Sequence, residues 1–122
     1  MLSRAANAYR RVDLESAPKT LVLEKLFDRF EQDIVAARAA ITAGKIEDRA
    51  NAIDHAHRIV AELAASLDHS AAPDLCKNLA ALYDFVAASL SQGNTQSSAL
   101  PLQRASKIMS ELADAFRQAH SR

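Results

Sequence analysis

The sequence predicts an all-α fold, an antiparallel up-and-down four-helix bundle preceded by an N-terminal arm. Three observations carry that expectation. The composition is rich in alanine, leucine, glutamate, lysine and arginine, side chains that lose little rotamer freedom in a helix, and only 2 Gly and 3 Pro interrupt 122 residues. Four stretches repeat apolar residues at three- and four-residue steps, the spacing of one helical face. The links between them are short, which makes consecutive helices antiparallel neighbours. A hydrophobic content of 49% is enough for a core at this length, and the length suits one domain.

The first helix is expected from Pro18 to Ala43. Proline suits a first helical turn, where its missing N–H goes unused. Leu23, Leu26, Phe27, Phe30, Ile34, Ala37 and Ile41 form its apolar face, and Gly44 is placed to stop it. The second is expected from Glu47 to Leu67, with Ile46, Ala50, Ile53, Ala56, Val60, Leu63, Ala64 and Leu67 at helical spacing. The third begins near Ser70 or Pro73, with Asp74 favourable in its first turn. It turns Leu75, Leu79, Leu82, Tyr83, Val86 and Leu90 inward and is expected to end at Gly93-Asn94. SQGNTQSS, residues 91 to 98, then reads as the most polar and most mobile link. The fourth starts near Ser98, a suitable N-cap. Leu102, Ala105, Ile108, Met109, Leu112 and Phe116 line its inner face. Residues 1 to 15 hold Leu2, Tyr9, Val12 and Leu14 without a sustained period. They read as an arm, and residues 16–122 as the bundle domain.

Charge and cysteine content exclude several functions. Lys+Arg and Asp+Glu are both 15, so no net basic charge draws the chain to nucleic acid. Arg4, Arg10 and Arg11 read as part of a solvated tail. A single cysteine, Cys76, allows neither an intramolecular disulfide nor a thiolate metal site. No apolar run is long enough to insert in a membrane, and a cytoplasmic protein is expected.

Little in the chain suggests catalysis. A di-iron carboxylate bundle needs two acidic-x-x-His pairs, and only Asp54 with His57 is present, so no metal and no cofactor are expected. His57 raises the alternative of a histidine phosphotransfer domain, with His57 as phosphoryl acceptor. AHRIVAEL, residues 56 to 63, is faintly similar to that family's AHxLKGxA. Val60 replaces the lysine that steadies the phosphoryl group, and Ala61 replaces the glycine that admits a response regulator. Phosphoryl transfer depends on that positioning and charge. There is no Gly-rich phosphate loop. Cys76 reads as a small apolar packing residue, and the expectation is a protein that is not an enzyme.

Some apolar residues leave the stripes. Phe85, within LAALYDFVAASL at residues 79 to 90, points about 100° from the centre of its stripe, and Ile59 about 80° from its own. Val35 is off-axis too. If Ile59 and Phe85 line one groove between the second and third helices, they form a patch of the kind that marks a binding surface. A wide apolar face that buries both fits the pattern equally.

Several blocks, in order, resemble one family, the flagellin-specific export chaperones called FliS. AYRRV at 8–12 is similar to the family's AYxxV, and LEKLFD at 23–28 to its MLYD or MLFD segment. IDHAHRIVAELAASLD at 53–68 is similar to INxAxxIIxELxxSLD, and LCKNLAALYDFV at 75–86 to IAxNLxxLYDYM. LPLQRASKIMSELADAF follows the spacing of the last helix, with Phe116 where tryptophan is usual. Ala17, Lys25 and Ala72-Pro73 depart from the usual Ser or Thr, Met and Gly-Gly.

The resemblance implies a non-catalytic cytosolic chaperone for type III flagellar export. It would bind the disordered C-terminal segment of flagellin in hydrophobic grooves, prevent premature polymerisation and deliver it to the cytosolic platform of the export gate. On that basis Ile53, Ile59, Asn78, Leu82, Tyr83, Phe85 and Val86 are expected to line or support the flagellin groove. Tyr9 and Val12 on the arm would act as a lid over the empty groove, and the sequence leaves both a monomer and a homodimer open when no client is bound.

Overall fold

The computed structural model describes residues 17–120. They form four α-helices: α1 (Ala17–Ala43), α2 (Ile46–Ala65), α3 (Pro73–Gln96) and α4 (Ala99–His120). Each helix packs on its neighbour in sequence, and α1 packs on α4, which closes a four-cornered ring. With connections this short, neighbouring helices run antiparallel. The expected all-α four-helix bundle is what the described residues adopt. Residues 1–15, and with them Tyr9 and Val12, lie outside the described residues.

The core forms from the stripes. Leu23, Phe27, Phe30, Ile34, Ile53, Val60, Leu63, Leu79, Tyr83, Val86, Leu90, Leu102, Met109, Leu112 and Phe116 are all buried in one cluster. Phe27 and Phe116 stack at a tilt across α1 and α4, with ring centroids 5.6 Å apart. Such an aromatic pair contributes about 0.5–1.5 kcal/mol beyond its buried area. Ile46, placed on the α2 stripe by its spacing, is 67% exposed. It is the first residue of α2, beyond the reach of the helices that cover the rest of that stripe.

The turn after α1 follows its sequence signal. Gly44 takes φ +70°, the left-handed region open to glycine. Its N–H donates to the Ile41 carbonyl at 3.2 Å, and the Lys45 N–H donates to the Ala40 carbonyl at 2.9 Å. These two bonds complete a Schellman stop. Glu47 and Asp48 then sit in the first turn of α2, where their charge complements the helix dipole.

The second glycine does something else. α3 does not stop at Gly93-Asn94 but runs to Gln96, so residues 91–96 are helix and the link to α4 is Ser97-Ser98 alone. The stop is made by Ser97 in the left-handed region at φ 48°. The Ser97 N–H donates to the Asn94 carbonyl at 3.3 Å and the Ser98 N–H to that of Gly93 at 3.1 Å, again a Schellman pattern. Gly93 is needed for proximity. A Cβ there would lie 2.7 Å from Leu102 Cδ2 and 2.9 Å from Leu102 Cγ, so its absence lets α4 close onto α3.

The remaining link, residues 66–72, is organised by Asp68. Its carboxylate accepts from the Ser70 N–H at 3.1 Å, the Ser70 hydroxyl at 2.6 Å and the Ala71 N–H at 3.3 Å. Its carbonyl accepts from the Cys76 thiol at 3.4 Å. Pro73 then opens α3 in its first turn. Burial, and secondarily the Asp68 charge, push the Cys76 thiol above its ordinary range. It therefore stays protonated, and a protonated, buried thiol is a poor nucleophile.

Candidate docking seams

Four helices in a ring leave four seams facing outward, and the residues beside each stripe decide how a seam is finished. The α1/α4 seam is polar. Arg117 of α4 reaches Asp28 at 3.0 Å and Glu24 at 3.9 Å on α1, and Asp114 on its own helix at 3.4 Å. One turn or more further along, the Ser106 hydroxyl donates to the Glu31 carboxylate at 2.8 Å.

The α2/α3 seam is also polar. Arg49 of α2 donates through Nε to Asn94 Oδ1 at 2.9 Å and through Nη1 to the Ser97 hydroxyl, which ties the end of α3 to the start of α2. His57 Nε2 meets the Ser91 hydroxyl at 3.3 Å. Burial lowers the His57 pKa below the ordinary 6.5, against a smaller upward pull from Asp54. The ring is thus held toward its neutral form in a hydrogen-bonded seam. No cation stands at positions 60 and 61 to steady a phosphoryl group, so the phosphotransfer alternative gains nothing from the structure.

The other two seams leave apolar side chains open between their helices. Between α1 and α2 lies an open groove of about 450 Å³. Val22, Leu26 and Ile59 form its apolar part; Lys25, Arg29 and Arg58 supply cations, and His55 and Glu62 complete the lining. His55 Nδ1 meets the buried Asp33 carboxylate at 2.6 Å and closes one end.

The α3/α4 seam carries Phe85, which is 50% exposed. Its side of α3 follows from helix geometry. Phe85 lies about 120° around α3 from Ser91, which faces α2, but only about 80° from Gly93, which abuts Leu102 of α4. Leu82, one turn earlier, and Ile108 of α4 are partly buried and pack on the core. Ser89 is 5% exposed and Ala115 fully buried. Both are small enough to let α3 and α4 approach closely.

The structure thus does not bring Ile59 and Phe85 into one α2/α3 groove. Ile59 is 3% exposed at the base of the α1/α2 groove, and Phe85 stands on the α3/α4 side. Ile53, Tyr83 and Val86 are core residues, buried beneath the seams. Leu82 is half-buried, and Asn78 is exposed on the same side of α3 as Phe85. Val22 and Leu26, which the expected groove did not include, line the α1/α2 groove beside Ile59. Leu26 was read as core, and Val22 lies one position before Leu23 on the flank that faces α2. An apolar residue immediately before a stripe residue was the available signal.

Among the described residues no three His, Cys, Asp or Glu side chains are grouped to hold a metal, and no helix is long and apolar enough to cross a membrane. The described residues thus form a four-helix bundle with apolar side chains left open along two of its seams. The flagellar protein FliS family model matches residues 1–122, and the chain belongs to that family. It is also 29% identical over 116 residues to the flagellar secretion chaperone FliS of Salmonella typhimurium (strain LT2), an alignment that covers 91% of this chain and 86% of that protein.

Proposed function

We propose that this protein is a flagellar export chaperone that holds the disordered C-terminal segment of flagellin, prevents its premature polymerisation and delivers it to the cytosolic platform of the export gate. Membership of the FliS family supports the class of activity. The observation that carries the mode of binding is Phe85, a half-exposed aromatic beside partly buried Leu82 and Ile108 on a rigid seam. An amphipathic client helix would set apolar anchors against that seam. Ordering such a client costs about 2–5 kcal/mol, which apolar burial along two or three turns offsets while leaving the complex reversible. The action is binding and release, without a chemical step.

The test is titration of a flagellin C-terminal peptide into the wild type and Phe85→Asp. A central aromatic anchor costs 2 kcal/mol or more when lost, so affinity should fall about 30-fold. Helical circular dichroism should be unchanged, because Phe85 is outside the core. Equal affinity for both proteins would place the client elsewhere.

A further inference from the structure

We infer that the α1/α2 groove reads charge: Lys25, Arg29 and Arg58 select a stretch of the flagellin C-terminal segment that carries carboxylates beside its apolar anchors. This rests on the chaperone reading and adds a specificity determinant to it. The floor of the groove is Val22, Leu26 and Ile59, and its rim is mostly cationic. Lys25 and Arg29 are exposed on α1, four residues apart and so on one face. Neither has an ion-pair partner among the described residues. On α2, Arg58 is only partly neutralised by Asp54 at 2.7 Å, with both side chains well exposed. Glu62, one turn further along α2, is the single acidic group of the lining.

The His55–Asp33 contact at 2.6 Å fixes the register of the two walls. In an antiparallel pair, one turn onward from His55 to Arg58 matches one turn back from Asp33 to Arg29. Arg29 and Arg58 therefore face each other across the groove at one level, with Lys25 a turn away. Asp33 is buried and engaged by His55, so it partners neither arginine. A client helix with neutral flanks would fill the floor but strip water from these cations with nothing to replace it. Carboxylates beside the apolar anchors supply the missing partners, and like-charged flanks are rejected. From Val22 to Arg29 the groove spans about 10 Å, room for two turns of helix and two apolar anchors one turn apart.

The test is titration of the flagellin C-terminal peptide into the full chain and its variants, at about 0.05 M and about 0.5 M salt. Exposed ion pairs contribute modestly, so Lys25→Ala with Arg29→Ala should weaken binding about threefold to tenfold at low salt. Lys25→Glu with Arg29→Glu should weaken it more. Both losses should shrink at the higher salt, where the Debye length falls to a few ångströms. Helical circular dichroism should be unchanged, because both side chains are exposed. In the peptide, changing Asp and Glu to their amides cluster by cluster should find one cluster that matters. Its amide form should bind the wild type about as weakly as the unchanged peptide binds the double alanine variant, and combining the two changes should cost little more. Lysines at that cluster should favour the double glutamate variant over the wild type. Full additivity of the two changes would overturn the inference. So would unchanged affinity of the Lys25 and Arg29 variants while Phe85→Asp weakens binding, a result that leaves the chaperone reading standing. A wild type that does not bind the peptide would remove both.

Discussion

The α1/α4 and α3/α4 seams share a helix yet are finished in opposite ways. On one side of α4, Arg117 and Ser106 reach across to Asp28, Glu24 and Glu31 and cover the joint with charge. On the other side, Gly93, Ser89 and Ala115 are small enough to let the helices close up, and Phe85 stands half in water. The core stripe of α4 is shared by both. What differs is the residue type one or two positions to either side of it. A bundle can therefore be stable as a whole and still keep one seam free for a partner, because core stability and seam chemistry reside in different residues.

The contrast can be broken at the core first. Phe30 is fully buried, and Phe30→Ala should cost about 3–5 kcal/mol in denaturant unfolding, by lost transfer energy plus the cavity left behind. Next is Gly93→Ala. The added methyl would overlap the Leu102 side chain, and overpacking of about 1–3 kcal/mol is partly offset by a helix-propensity gain of up to about 1 kcal/mol. A net loss of about 1–2 kcal/mol is expected, against a gain if the glycine were a simple weak point in an exposed helix. Arg117→Ala removes exposed ion pairs from the closed seam and should cost about 0.2–1 kcal/mol, less at high salt. Phe85→Ala should change stability by no more than about 0.5 kcal/mol, since a half-exposed ring contributes little to the core. The two phenylalanines, so different in cost, are the most direct measure of sealed against open.

The smallest effect is in the closed α2/α3 seam. His57 has a folded pKa below its unfolded value, so the unfolded chain binds the proton more readily. Stability should therefore fall as pH drops below about 6.5, and level off below the folded pKa. His57→Gln should flatten that part of a thermal-melt pH series. An unchanged slope would assign it to other groups.

Much of this was legible in the sequence, and the exceptions share a cause. The four stripes, the Gly44 stop and the Pro73 start follow from local spacing and from backbone freedom that belongs to single residues. Phe85 was legible as an outlier because its angle within α3 is fixed by position alone. Gly93 was read as a stop because a glycine followed by asparagine usually is one. Its actual role, clearance for Leu102, depends on another helix. Ile59 appeared off-stripe for the same reason, since α1 covers that flank of α2. The links Arg49–Asn94, Ser106–Glu31 and His57–Ser91 join residues far apart in sequence, and no local pattern marks them.

The central claim is that the client sits along the α3/α4 seam and not along the charged one. Cys76 is buried and its thiol is held protonated, so an introduced surface cysteine can be labelled selectively. An environment-sensitive fluorophore on Asn78→Cys, exposed two turns before Phe85 on the same side of α3, should shift to the blue when the flagellin C-terminal peptide is added. The same label on Val35→Cys, an exposed position on the α1/α4 side, should not respond. A response at position 35 without one at position 78 would contradict the account.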